Sequence, residues 1–187
     1  MTIQQKYLQK CNTPSDINEL LPLIKRYADV SQHVTEMGVR QPTSTYAILA
    51  SKAKTIVSYD IETQPEVQEC KDICANEKRD WTYIEENVLK VQIDETDFLW
   101  IDTFHCYSQL KAELFLHSPK VKKYIGFHDT HTYGIGGESA YLKQGHDGNN
   151  DGKGLLTAIN EFLQDNPEWI VDFKTNRNNG MTVIKRI

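Results

Sequence analysis

Residues 97-DFLWIDTFHCYSQLKAELFLHSPKVKKYIGFHDT-130 decide how the fold is read. DFLWID is a run of large apolar side chains with acids only at its two ends, which suits a strand buried on both faces. YSQLKAELFLHSP follows with apolar residues at helical spacing. KYIGFHD is then a second apolar run that ends in polar residues. Strand, helix and strand in this order form a βαβ unit, and a crossover of this length places the two strands parallel.

The same rhythm extends in both directions. Upstream lie the strand-like HVTEMG (33–38), the helix TSTYAILASKA (43–53), the strand TIVSYDIE (55–62), the helix PEVQECKDICAN (65–76) and the strand WTYIEEN (81–87). Downstream, a polar, glycine-rich loop (131–154) leads into the amphipathic helix GLLTAINEFLQDN and two last strands, EWIVDFKTN and MTVIKRI. Asn179-Gly180 between those strands is a strong hairpin signal, so the last two are expected to be antiparallel neighbours. The whole reads as an α/β, Rossmann-like three-layer sandwich around a mostly parallel sheet. Ahead of it, 16-DINELLPLIKRYADV-30 has helical spacing after a possible Asp16 cap. The expected organisation is an N-terminal helical appendage (1–30) and one domain (31–187).

The chain has 187 residues, enough for one domain with a real core, and its 39% hydrophobic and 25% charged composition is that of an ordinary globule. No apolar run approaches membrane-spanning length, so no membrane partner is expected. The net charge of −5 argues against a broad nucleic-acid surface, although Lys120, Lys122 and Lys123 form a local basic patch. Four cysteines without CxxC spacing and an N-terminus without an apolar signal core give the expectation of a cytoplasmic protein.

An α/β sheet binds ligands beyond the carboxyl ends of its strands. The polar residues that end these strands, Glu36, Asp60, Glu86, Asp102 and Asp129, therefore gather on one edge. If the strands of Asp102 and Asp129 are neighbours, two carboxylates approach one another, and at neutral pH that requires a cation or a shared proton. His128 is a candidate third ligand, and His105, three residues after Asp102, suits a base near a metal-bound hydroxyl. Alternatively Asp102 caps the next helix, Asp129 makes a turn and the histidines are solvated. A competing set joins His128 and His131 to one carboxylate as an iron site. The loop 147-DGNNDGKG-154 resembles the start of a calcium loop, but its twelfth position is Ala158 where a bidentate Glu is required.

These pieces resemble the class I S-adenosylmethionine-dependent methyltransferases, and within them the small metal-dependent O-methyltransferases of the cephalosporin hydroxylase and macrocin O-methyltransferase group. IDTFHCY resembles that group's I-D-G-D-H-S-Y, GFHDT its F-H-D-T, and NNGMTVIKRI its closing hairpin. The resemblance implies a seven-stranded sheet with an antiparallel last strand. It implies S-adenosylmethionine at Glu36, Gly38, Ser44, Asp60, Glu86 and Asn87. It further implies a divalent metal (Mg, Mn or another transition metal) at Asp102, His128 and Asp129, and His105 as general base. The implied reaction methylates a hydroxyl of a small polar acceptor such as a sugar. Two positions depart from the group: Pro42 stands at the second glycine of its cofactor motif, and His128 stands where relatives often carry Glu. The alternatives are a metal-dependent hydrolase or oxygenase on the same fold, or a non-catalytic binding protein with a degenerate cofactor pocket. The sequence leaves open whether the chain forms a homo-oligomer.

Overall fold

The computed structural model describes residues 1–138 and 153–187. Its strands are β1 (His33–Met37), β2 (Thr55–Asp60), β3 (Thr82–Glu85), β4 (Thr96–Ile101), β5 (Val121–His128), β6 (Trp169–Thr175) and β7 (Met181–Arg186). They form a single seven-stranded sheet in the order β3-β2-β1-β4-β5-β7-β6. β1 through β5 pair in parallel, while β7 runs antiparallel to both β5 and β6. This is the expected architecture. The chain order reverses between β1 and β4, and the crevice of such a sheet opens there.

Every residue of β4 is buried. Phe98 and Trp100 pack into one layer of the core, while Leu99 and Ile101 pack into the other. A strand with apolar neighbours on both faces has no solvent-facing register, so its continuous apolar run is what fixes it at the centre of the sheet.

The helices are α1 (Ile3–Asn12), α2 (Leu21–Asp29), α3 (Thr43–Leu49), α4 (Glu66–Glu77), α5 (Tyr107–His117) and α6 (Leu155–Asp165). Three details differ from the sequence-based expectation. First, α1 was not anticipated, although Thr2 and Gln5 form a capping box at its start, a signal legible in the sequence. Second, α2 begins at Leu21 rather than after an Asp16 cap. Residues 15–20 are spent on local turns, with Asn18 Oδ1 accepting from Ser15 N and Ile17 O accepting from Leu20 N, and Pro22 sits in the first turn where its missing N–H is harmless. Third, α3 stops at Leu49, where the Arg79 guanidinium donates to the Leu49 and Ser51 carbonyls and so supplies a cation at the helix C-terminus. Ile3, Tyr7, Leu20, Leu21 and Ile24 share a core cluster with Ile48, Phe98 and Trp100, so the N-terminal helices are packed onto the sheet.

The connection from β3 to β4 carries a single 3-10 turn (Val88–Lys90) and no α-helix. Val88 and Ile93 cover Met37 and Tyr59 on that face. Beside them a cleft of about 340 Å³ opens over His33, Val57, Thr82 and Ile84.

After β1 the chain turns under Asp102. Gly38 has φ +88°, and a Cβ there would stand 2.0 Å from the Asp102 carbonyl oxygen. Both the backbone conformation and the space demand glycine. Gly38→Ala is therefore expected to cost at least about 1–3 kcal/mol, the strain alone accounting for that much. Denaturant unfolding should show the midpoint falling.

Candidate active site

Asp102 follows β4 and Asp129 follows β5, and the pairing of Ile101 with Phe127 sets Asp102 level with His128 and one residue short of Asp129. Asp129 is held at φ +58°, a left-handed conformation that Asp tolerates better than most residues. The two acids do not stand alone. His128 Nδ1 lies 3.2 Å from Asp102 Oδ1 and 3.0 Å from Asp129 Oδ2. His105, in the turn between β4 and α5, places Nε2 2.9 Å from Asp129 Oδ2 and 3.4 Å from Asp102 Oδ1. The four residues singled out from the two strand ends thus converge on one point.

The far nitrogen of each imidazole is also engaged. His128 Nε2 lies 3.1 Å from the Asp16 carbonyl oxygen and 3.0 Å from that of Asn178. Carbonyl oxygens only accept, so Nε2 carries a proton and donates. His105 Nδ1 lies 2.9 Å from Glu138 Oε2, and its ring stacks on Tyr133 with centroids 4.9 Å apart. Glu138, Tyr133 and the two carbonyls were not foreseen. Nothing in local spacing points to a carbonyl 112 residues away, or to one acid within a polar loop.

Three carboxylates face two imidazoles here, and the electrostatics follow. Burial alone would lower the His105 and His128 pKa values, but Asp102 and Asp129 outweigh it and raise them to about 10 and about 11. In return, burial would raise Asp102, yet His128 and His105 hold it down to about 2, and Asp129 is likewise held far below the ordinary carboxylate range. Without another cation, both rings are imidazolium.

A divalent ion fits the same residues. Ligand atoms of Asp102, His128 and Asp129 lie within 4.8 Å of one another. With Nε2 protonated, the neutral His128 ring turns its Nδ1 lone pair toward the two carboxylates, and backbone carbonyls fix that orientation, the usual support of a ligating histidine. Asp129 Oδ1 is buried without a hydrogen-bond partner, which leaves spare ligand capacity at the centre. His131 does not join this group: it is exposed, and its backbone N–H donates to the Asn179 carbonyl. Residues 147–152 of the calcium-like stretch lie outside the described residues.

The positions expected to hold the cofactor are arranged around the Gly38 turn, and several are bonded within the protein. Glu36 is fully buried and accepts from Ser44 Oγ at 2.7 Å, Thr45 Oγ1 at 2.9 Å and Ser58 Oγ at 2.7 Å. It thereby ties the first turn of α3, which has no side-chain cap, to β1 and β2. Asp60 Oδ2 accepts from Val39 N at 2.7 Å and Arg40 N at 2.6 Å, holding the turn closed. Glu86 N donates to the Asp60 carbonyl, while Asn87 caps the 3-10 turn through Leu89 N.

The fold has counterparts among solved structures. No protein-family model matches the sequence, and no curated protein matches it. In three dimensions the chain is similar to a proposed caffeoyl-CoA O-methyltransferase from Staphylococcus aureus, at 17% identity and TM-score 0.67, covering 100% of this chain and 93% of that one. It is similar as well to the O-methyltransferase of Bacillus cereus in complex with S-adenosylhomocysteine, at 12% identity and TM-score 0.65 over 99% of this chain and 90% of that one. A third is the N-methyltransferase NodS of Bradyrhizobium japonicum bound to S-adenosylhomocysteine, at 11% identity and TM-score 0.59 over 100% and 99%. These likenesses show that the chain shares the fold of these methyltransferases. No helix among the described residues is long and apolar enough to cross a membrane.

Behind the acids, Glu113 of α5 is fully buried. Its Oε1 accepts from Thr103 Oγ1 at 2.6 Å and Gln109 Nε2 at 2.8 Å, and its Oε2 has no partner. It borders a void of about 10 Å³ shared with His105 and His128. Burial raises the carboxyl to about 7, against an ordinary value of 4.5, and burial raises Glu36 to about 7 as well. The folded chain therefore holds a proton at each site that the unfolded chain has released, so this stability is full below pH 4.5 and lost as pH rises to 7. Glu113→Gln should remove about half of that slope in a pH series of thermal unfolding on metal-free protein. An unchanged slope would show that Glu113 ionises normally.

Proposed function

We propose that the protein is an S-adenosylmethionine-dependent O-methyltransferase that uses a divalent metal to methylate a hydroxyl of a small polar acceptor. The observation that carries the reading is the convergence of Asp102, Asp129, His128 and His105 at the crevice of this fold, with Gly38 turned directly beneath Asp102. The cofactor's place is the turn from Gly38 to Ser44, beside Asp60 and the Glu86-Asn87 turn. Asp102, Asp129 and His128 Nδ1 are the metal ligands in this reading, and the nitrogen ligand favours Mn, Fe, Co or Zn over Mg. The metal's chemistry is Lewis acidity, which lowers the pKa of an acceptor hydroxyl.

The chain's own residues do the rest. Once Asp102 and Asp129 are neutralised, His105 no longer has to hold its Nε2 proton, and that nitrogen is free to take the acceptor's. The acceptor oxygen then forms its bond to the methyl carbon as the sulfur–carbon bond breaks, S-adenosylhomocysteine leaves, and the proton remains on His105 Nε2. A second reading, a binding protein with a degenerate cofactor pocket, draws support from Asp60. Its carboxylate is already spent on the Val39 and Arg40 N–H groups, and Pro42 lacks a backbone donor.

Two measurements test the proposal. S-adenosylhomocysteine should raise the melting temperature in a concentration-dependent way, and Pro42→Gly should enlarge the shift by restoring a donor. No shift in either protein at millimolar ligand would sink the methyltransferase reading in favour of the binding protein. For the metal, titration calorimetry with Mn²⁺ or Zn²⁺ should show Asp102→Asn and Asp129→Asn each weakening affinity at least about tenfold, or ~1.4 kcal/mol. His105→Ala should leave that affinity nearly intact, because its place is beside the ion. Unchanged affinity in both Asn variants would remove the metal site.

A further inference from the structure

The His105 ring is held from three sides, and one of its partners has no assigned role. Glu138 lies 33 residues further along the chain and touches His105 twice: Oε2 stands 2.9 Å from Nδ1, and the Glu138 backbone N–H donates to the His105 carbonyl oxygen at 2.8 Å. Tyr133 stacks on the ring with an interplanar angle of 3°. The Glu138 side chain is only 16% exposed, so its bond to the ring is partly shielded from water.

We propose that Glu138 is the positioning residue of His105: its carboxylate holds the Nδ1–H, and Nε2 becomes the nitrogen turned toward Asp129, Asp102 and the acceptor hydroxyl. The inference rests on the reading of His105 as the base. A carboxylate only accepts, so the nitrogen against it must carry hydrogen. A neutral imidazole has a single N–H, and fixing that hydrogen on Nδ1 leaves the lone pair on Nε2. Without Glu138 the neutral ring is free to carry its hydrogen on Nε2, where it has nothing with which to accept a proton. The double attachment separates this role from a mere loop contact. The main-chain bond sets where Glu138 stands, and the side-chain bond sets which tautomer the ring adopts.

Nitrogen-15 NMR of the full chain with labelled histidine tests this directly. Metal-free wild type at neutral pH should show a downfield, slowly exchanging Nδ1–H cross-peak that disappears in His105→Gln. Glu138→Gln, whose amide oxygen still accepts, should keep the peak but move it upfield, and Glu138→Ala should lose it. On adding Zn²⁺, wild-type Nε2 should take the shift of an unprotonated nitrogen. A wild type without the peak, or a Glu138→Ala peak indistinguishable from wild type, overturns the proposal. S-adenosylhomocysteine thermal shifts on the same samples keep the two readings apart. Loss of cofactor binding with the NMR pattern intact removes the methyltransferase, whereas cofactor binding without the pattern removes Glu138 alone.

Discussion

Two carboxylates at the ends of adjacent parallel strands are the constraint around which the rest of this molecule is arranged. Asp102 and Asp129 come together because β4 and β5 pair in register, and like charges that close are unstable unless positive charge stands between them. In the protein alone, His105 and His128 supply it as imidazolium. Burial alone would push both histidines toward neutrality, and the paired acids outweigh it. The same arrangement that demands protons is suited to exchange them for a metal ion.

Distant segments are recruited to hold that cluster in place. The β6–β7 turn does more than reverse the chain: Asn178 offers its carbonyl to His128, its Oδ1 to Glu19 N and its Nδ2 to the Ser15 carbonyl. Asn179 accepts from His131 N and Thr132 N. Gly180, at φ +97°, passes so close that a Cβ would sit 2.3 Å from His131 N. The N-terminal segment enters through the Asp16 carbonyl. Segments that appear from sequence to be a terminal appendage and a hairpin thus orient a candidate ligand, which couples the site to the integrity of the whole sheet.

The cofactor side has a different character. The turn after β1 is built from internal hydrogen bonds: Glu36 braces α3 and Asp60 closes the turn on itself. A buried acid surrounded by three hydroxyl donors is a structural brace first, whatever ligand lies beyond it. The absence of an α-helix between β3 and β4 leaves that flank of the sheet thinner than the flank carrying α5 and α6.

By itself, the sequence determined the sheet and the identity of the central residues. Continuous apolar runs such as DFLWID have no alternative to a two-faced burial, Asn179-Gly180 specifies a reversal, and strand ends of an α/β sheet share one edge, so Asp102, His105, His128 and Asp129 were legible as a group. The helix α1 was legible too, in the Thr2 and Gln5 cap, although periodicity alone passed over it. What the tertiary structure decided was the protonation and direction of each of those side chains. Whether His128 offers Nδ1 or Nε2 depends on the carbonyls of Asp16 and Asn178, and whether His105 does depends on Glu138, groups separated from them by 112, 50 and 33 residues. A local pattern encodes which face a residue occupies, because that follows from backbone period. It does not encode which atom a ring presents, because that is set by partners that only folding brings within hydrogen-bonding distance.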